Sequence, residues 1–138
     1  MKLVVDTNVL IAGLVAEGLC RDIVKRRLPT CELFTSRALL DELAEKLREK
    51  FGVHPQELPL LQIYKDEATV VKTKPLPKPV CRDADDDEVL ATALAAQVEI
   101  ILTGDSDLLT LKEFQGIRIL SPRQFVEWLD LTSSSWQP

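Results

Sequence analysis

Short blocks of consecutive apolar residues alternate with longer stretches in which apolar positions recur every three or four residues, predicting strand and helix in turn. Leu3-Val4-Val5 is an apolar run closed by Asp6, fit for a buried parallel strand. Residues 8–15 and 19–28 read as helices, broken near Gly18 and stopped by Pro29. Residues 32–35 read as a second strand. Ser36 then serves as N-cap for a helix in which Leu39, Leu43 and Leu47 form one seam, ending near Phe51-Gly52. Pro55 opens a helix over about 56–66, and residues 69–71 are a short strand candidate. Residues 72–82, with Pro75, Pro77 and Pro79, form an extended connector. Beyond it the pattern predicts a helix over 86–97, a third apolar strand over 99–102, a strand over 117–120, and a last helix capped by Ser121-Pro122. That helix is expected to reach residue 131, leaving 132–138 as a frayed, flexible tail.

Strands separated by helices imply βαβ units, hence a central parallel sheet with helices on both faces, a three-layer α/β/α domain over residues 1–131. In such sheets the functional crevice lies beyond the carboxyl ends of the strands. Asp6 follows the first strand directly, and Asp105 follows the third after a Thr103-Gly104 turn, so both acids are expected at that edge.

Composition narrows the class. The 138 residues, 46% apolar and 28% charged, suffice for one packed core and exclude a disordered chain. No stretch approaches the roughly 20 apolar residues that cross a bilayer, and the opening apolar run is too short for a signal peptide. A soluble cytoplasmic protein is expected. Cys20, Cys31 and Cys81 are odd in number and lack CxxC spacing, so they read as small buried apolar residues rather than a disulfide or zinc framework. The net charge of −5 argues against attraction of nucleic acid by the whole surface. The charge is nevertheless patterned. Arg21, Lys25, Arg26 and Arg27 crowd one segment, Lys46, Arg48 and Lys50 another, and Asp83, Asp85, Asp86, Asp87 and Glu88 crowd a third.

Carboxylates gathered in a low-dielectric pocket repel and raise one another's pKa. A divalent cation removes that penalty, and Mg²⁺ favours oxygen ligands of this kind. Each acid also has a plainer explanation, because helix N-termini accept acidic caps at Asp6, at Asp105 and in the 85–88 run. One exposed helix start, however, needs one or two acids rather than five.

The segments Val5-Asp6-Thr7-Asn8-Val9-Leu10, Ser36 to Glu42, Arg82-Asp83-Ala84-Asp85-Asp86-Asp87 and Leu102-Thr103-Gly104-Asp105-Ser106-Asp107-Leu108-Leu109 strongly resemble the PIN-domain family. The closing Ile119-Leu120-Ser121-Pro122-Arg123-Gln124-Phe125 is similar to the usual end of that domain. The nearest branch is the toxins of toxin–antitoxin pairs, of the VapC kind. The resemblance implies a PIN-like fold and a Mg²⁺- or Mn²⁺-dependent ribonuclease that leaves 5′-phosphate and 3′-hydroxyl ends. It also implies a homodimer silenced by an antitoxin protein.

Position by position, it places Asp6, Glu42, Asp87 and Asp105 in the catalytic pocket, with Asp6, Asp87, Asp105 and Asp107 toward the metal. Thr7, Asn8 and Thr103 would orient carboxylates by hydrogen bonds. Periodicity does not separate Asp86 from Asp87. The family-like spacing of sixteen residues to Thr103 favours Asp87, leaving Asp86 and Asp83 as supporting residues. Glu42 lies nearest the leucine seam among the acids of its helix, whereas Asp41 and Glu45 point further into solvent. Arg21, Lys25 and Arg26 are candidate contacts for RNA phosphates if their segment borders the acids, and otherwise a solvated helix face.

Rival chemistries fit less well. His54 is the single histidine, which excludes a histidine-pair ribonuclease. A haloacid-dehalogenase-type phosphatase needs a second Asp where Asn8 stands, and a response-regulator receiver needs an acidic pair at the first strand. A PIN scaffold that binds RNA or protein without turnover remains the alternative.

Overall fold

The computed structural model of the chain describes residues 1–134, with side chains as far as residue 131. Its strands are β1 (Lys2–Val5), β2 (Glu32–Ser36), β3 (Thr69–Val71), β4 (Ile100–Leu102), β5 (Glu113–Phe114) and β6 (Ile117–Leu120). Among the described residues they form one sheet in the order β3-β2-β1-β4-β6-β5. Every pairing is parallel except that of β5 with β6. The helices are α1 (Thr7–Val15), α2 (Leu19–Asp22), α3 (Arg37–Phe51), α4 (Pro59–Glu67), α5 (Ala84–Ala96), α6 (Ser106–Leu111) and α7 (Pro122–Ser134). The three-layer α/β/α architecture expected from the sequence, with a central and mostly parallel sheet, is the one found.

Alternation along the strands divides the core. Leu3, Val5, Ile100 and Leu102 face one side, where they pack with Leu10 of α1, Leu43 and Leu47 of α3, Leu61 of α4 and Phe125 of α7. Val4 and Ile101 face the other, against Val89, Leu90 and Ala93 of α5 and Leu108 of α6. Strands buried on both faces need continuous apolar runs, which is what β1 and β4 supply.

Local chemistry explains several boundaries. Ser36 caps α3 by accepting from the Leu39 N–H, and Gly52 ends it at φ 62, where a residue without Cβ fits best. Ser121 and Gln124 form a reciprocal capping box at the start of α7, each side chain accepting from the other's backbone N–H. Gly13 lets α1 and the segment after Gly18 meet closely, since a Cβ there would lie 2.7 Å from Val24 Cγ2 and 2.9 Å from the Cys20 carbonyl oxygen of α2.

The structure differs from the sequence reading at five points. The expected 19–28 helix is α2 only as far as Asp22, then continues as a π-helical stretch, Ile23–Arg27, and a 3₁₀ turn, Leu28–Thr30. The helix expected from residue 56 is a 3₁₀ turn at Pro55–Glu57 followed by α4, because Pro59 restarts the helix at its own first position. The two-residue β5 is new. Helix α7 runs to Ser134, into the expected tail, whose remainder, 135–138, lies outside the described residues. The three cysteines are half-buried and unpaired rather than fully buried. No described helix is long and apolar enough to cross a membrane.

The strand order matters for function. The chain builds outward from β1 through β2 to β3, then returns to the other side of β1 at β4. The carboxyl ends of β1 and β4, where the winding reverses, therefore border the crevice in which such sheets bind ligands.

Candidate metal centre

Asp6 and Thr103 extend the paired strands β1 and β4, whose last residues, Val5 and Leu102, lie in register. The backbone N–H of Asp6 donates to the Leu102 carbonyl at 2.8 Å. The Thr103 hydroxyl donates to Asp6 Oδ2 at 2.6 Å and accepts from the Asp105 N–H at 3.0 Å. One buried hydroxyl thus links the acids of two strands. A hydrogen bond to a charged group is worth about 1.5–3 kcal/mol. Asp6 is itself buried and its side chain makes no cap bond to α1, so helix capping does not explain it. Burial raises its pKa, with Asp105 adding to the rise, against the lowering effects of Thr103 and Lys46. Thr7 is buried and its backbone contributes a hydrogen bond to Asp6.

Asp105 starts α6 and accepts from the Asp107 N–H at 2.7 Å, so here the capping explanation holds as well. Asp83 is likewise the N-cap of α5, accepting from the Asp85 N–H at 2.9 Å. Three residues on, Asp86 is buried on the α5 face that carries Val89, Leu90 and Ala93. Carboxylate oxygens of Asp86, Asp105 and Asp107 all lie within 4.8 Å of one another. Burial, then Asp105, Asp6 and Asp83, push the Asp86 carboxyl up from 3.8 to about 7.

Asp87 is not part of this cluster, contrary to the spacing-based expectation. Its carboxylate turns to the connector, accepting from the Cys81 N–H at 2.8 Å and the Val80 N–H at 3.1 Å. The extended 72–82 segment leaves those N–H groups without a strand partner, and Asp87 is the acid within reach. Asp86, treated above as a supporting residue, takes the place in the cluster.

Glu42 reaches the same edge from α3 without joining the close set of three. It does not arrive alone. Lys46, one turn later, donates to Glu42 Oε1 at 2.7 Å and to Asn8 Oδ1 at 3.4 Å. Burial raises the Glu42 pKa while the Lys46 contact opposes the rise. For Lys46 burial pulls downward, but Glu42 and Asp6 outweigh it and the net shift is upward. A second cation, Arg82, pairs with Asp107 through Nη2 at 2.8 Å and Nε at 3.2 Å, and holds that carboxyl below its ordinary range. The sequence reading names Lys46 only within a basic run and Arg82 only within the 82–87 segment, and assigns neither to the site. The Glu42–Lys46 spacing of four on a helix was the available signal.

The proposed phosphate contacts do not come to the acids. Arg21 donates to the Gly13 and Leu14 carbonyls at 3.0 and 2.9 Å, satisfying the end of α1. Arg26 pairs with Asp22 on an exposed surface. Lys25 lines an apolar cavity of about 300 Å³ with Pro29 and Glu67, just before the amino ends of β2 and β3. These bases thus lie at the other edge of the sheet; Lys25 and Arg26 are exposed there, whereas Arg21 is half-buried against the end of α1.

The three clustered carboxylates suit a hard divalent cation. Oxygen–metal distances of roughly 2.0–2.6 Å allow one ion to bridge oxygens up to about twice that apart, and the observed spread falls within this range. A bound cation would also relieve the repulsion that raises Asp86.

Comparison with known proteins agrees with this picture. A family model described as PIN domain matches residues 2–107. An uncharacterized protein of Methanocaldococcus jannaschii is 27% identical over 145 aligned positions, covering 92% of this chain and 90% of that protein. Among solved structures, the chain is similar to the crystal structure of VapBC2 from Rickettsia felis bound to a DNA fragment from their promoter. The TM-score is 0.63 at 12% identity, covering 88% of this chain and 98% of that one, a likeness of fold.

Proposed function

The chain belongs to the PIN-domain family, and from that premise we propose that it is a divalent-metal-dependent endoribonuclease, the toxin of a toxin–antitoxin pair. The observation that carries the proposal is the set of Asp86, Asp105 and Asp107 oxygens within 4.8 Å of one another at the sheet's switch point, with Asp6 buried beside them. A purely structural site would not be expected to hold so many acids with so little compensation. Asp86, Asp105 and Asp107 would hold Mg²⁺ or Mn²⁺, and Asp6 would add charge from behind.

When bound, the cation supplies an activated water and stabilises charge developing on the phosphodiester. The residues of the chain prepare that step. Thr103 fixes the carboxylate of Asp6 and the backbone of Asp105, so the ligands need little reorganisation. Glu42, anchored by Lys46, stands where it can orient the attacking water. Likeness to a VapBC complex supports an antitoxin as protein partner, and a homodimer is proposed with it.

Cleavage of structured RNA in the presence of Mn²⁺ tests the reading. Wild-type protein should leave 5′-phosphate ends, and Asp105→Asn should cut at least about 10²-fold more slowly, in line with losing a group that stabilises the transition state. Products ending in 2′,3′-cyclic phosphate, or full activity in EDTA, would rule it out.

A further inference from the structure

Among the described residues, the cluster of Asp86, Asp105 and Asp107 is the one set of three acids whose ligand atoms approach closely enough for an ion. Asp6 and Glu42 stand at the same edge yet complete no second set. What meets them is Lys46. Its ammonium lies 2.7 Å from Glu42 Oε1 and 3.4 Å from Asn8 Oδ1, and it interacts with Asp6 through charge.

This pair differs from the other pairs spaced four apart on helices. The Lys46 and Glu42 side chains are 24% and 16% exposed, against 80% and 44% for Arg26–Asp22 and 83% and 70% for Arg37–Asp41. Water screens the exposed pairs, which contribute little. It screens the Lys46 pair much less, so its charge acts on its neighbours at greater strength. The backbone beneath is fixed too, because Leu43 and Leu47 of the same helix are buried in the core. Arg82, the other base at this edge, has a side chain 87% exposed; it pairs with the outer acid, Asp107, and reaches Asp105 through charge without a hydrogen bond.

We propose that the Lys46 ammonium is the resident cation of the Asp6–Glu42 half of the acidic edge, so that the chain takes one divalent ion where its acids would otherwise hold two. A second divalent ion there would have to break a short charge-assisted hydrogen bond and approach a fixed positive charge. The inference rests on the metal-dependent reading of the site and specifies its stoichiometry. Lys46 is in this sense a positioning residue, since it sets where charge resides without contacting substrate.

Counting Mn²⁺ bound to the full chain by electron paramagnetic resonance tests it, without recourse to cleavage. Wild-type protein should bind about one Mn²⁺ and Lys46→Met about two, because Glu42 then loses its ion-pair partner and Asp6 a neighbouring positive charge. Lys46→Arg, which keeps the charge, should return the count to about one. Circular dichroism checks that each variant folds, and Lys46→Gln, similar in length but neutral, replaces Lys46→Met if that variant does not. Two ions on the wild type, or one on a folded neutral variant, overturns the role of Lys46 while leaving the metal-dependent reading intact. No Mn²⁺ on any variant overturns both.

Discussion

The two edges of the sheet are made by the same strands, yet they carry opposite chemistry. At the carboxyl edge, Asp6, Asp86, Asp105 and Asp107 converge with Glu42, and among the described residues Lys46 and Arg82 are the bases paired with them. At the amino edge, Lys25 and Glu67 border a cavity walled by Val24, Leu28, Leu33, Leu60 and Tyr64. Helix polarity accounts for much of the contrast. In a parallel α/β fold the helices start at the carboxyl edge and finish at the other, so N-termini that favour anions gather on one side and C-termini that favour cations on the opposite one. Asp83 and Asp105 cap helix starts, whereas Arg21 serves the carbonyls at the end of α1. Caps alone do not explain Asp6 and Asp86, which are buried and raised in pKa at the start of no cap bond of their own. That excess separates a site from a well-made helix end.

The comparison can be broken in three ways, beginning with the largest effect. Asp86→Asn should reduce RNA cleavage by about 10²-fold or more, as expected when a group aimed at transition-state charge is removed. Asp87→Ala should stay within about threefold of wild type while exposing the connector to protease, because the Val80 and Cys81 N–H groups lose their acceptor. The reverse ranking would return the spacing-based assignment.

Next comes stability against pH. Folded Asp86 keeps its proton up to about pH 7, whereas an unfolded aspartate releases it near 3.8. Over that window the folded state binds more protons, so stability should fall as pH rises. Asp105, Asp6 and Asp83 all act in the same direction on Asp86. Thermal melts in EDTA should therefore show a higher Tm at pH 5 than at pH 7.5, and Asp86→Asn should flatten the trend. A wild-type Tm that is lower at pH 5 than at pH 7.5 would contradict the electrostatics of the site. The smallest effect belongs to the other edge. Replacing Lys25 and Arg26 together by Ala should leave cleavage within about twofold and stability within about 0.5 kcal/mol, as for exposed surface groups. A large loss of RNA affinity in that variant would erase the contrast between the edges.

Much of this was legible because local chemistry and tertiary demand agree. Ser36 and Gly52 bracket α3 as their residue types require, and the apolar runs at β1 and β4 read as strands because both faces are buried. The failures arise where a distant element makes the demand. Asp86 and Asp87 are adjacent on one helix turn, and only the connector, with its free N–H groups, decides which of them turns away. Arg21 looked like a phosphate contact because its carbonyl partners lie in another helix. Strand β5 escaped notice because it has two residues, and its turn to β6 runs through Gln115 and Gly116 at φ 48 and 83. Such a turn has a strong signature when the pair is Asn-Gly and a weak one when it is Gln-Gly.

The Thr103 hydroxyl has one hydrogen, and it is committed to Asp6, while an oxygen lone pair receives the N–H of Asp105. This gives the link between two strands a direction: it favours a negative Asp6 and fixes the loop that presents Asp105 in the same act. The two acids are therefore not independent inheritances of two separate strands. A serine at 103 would preserve the arrangement, whereas a valine of nearly the same shape would disturb acidity on one strand and loop geometry on the other through the loss of a single atom.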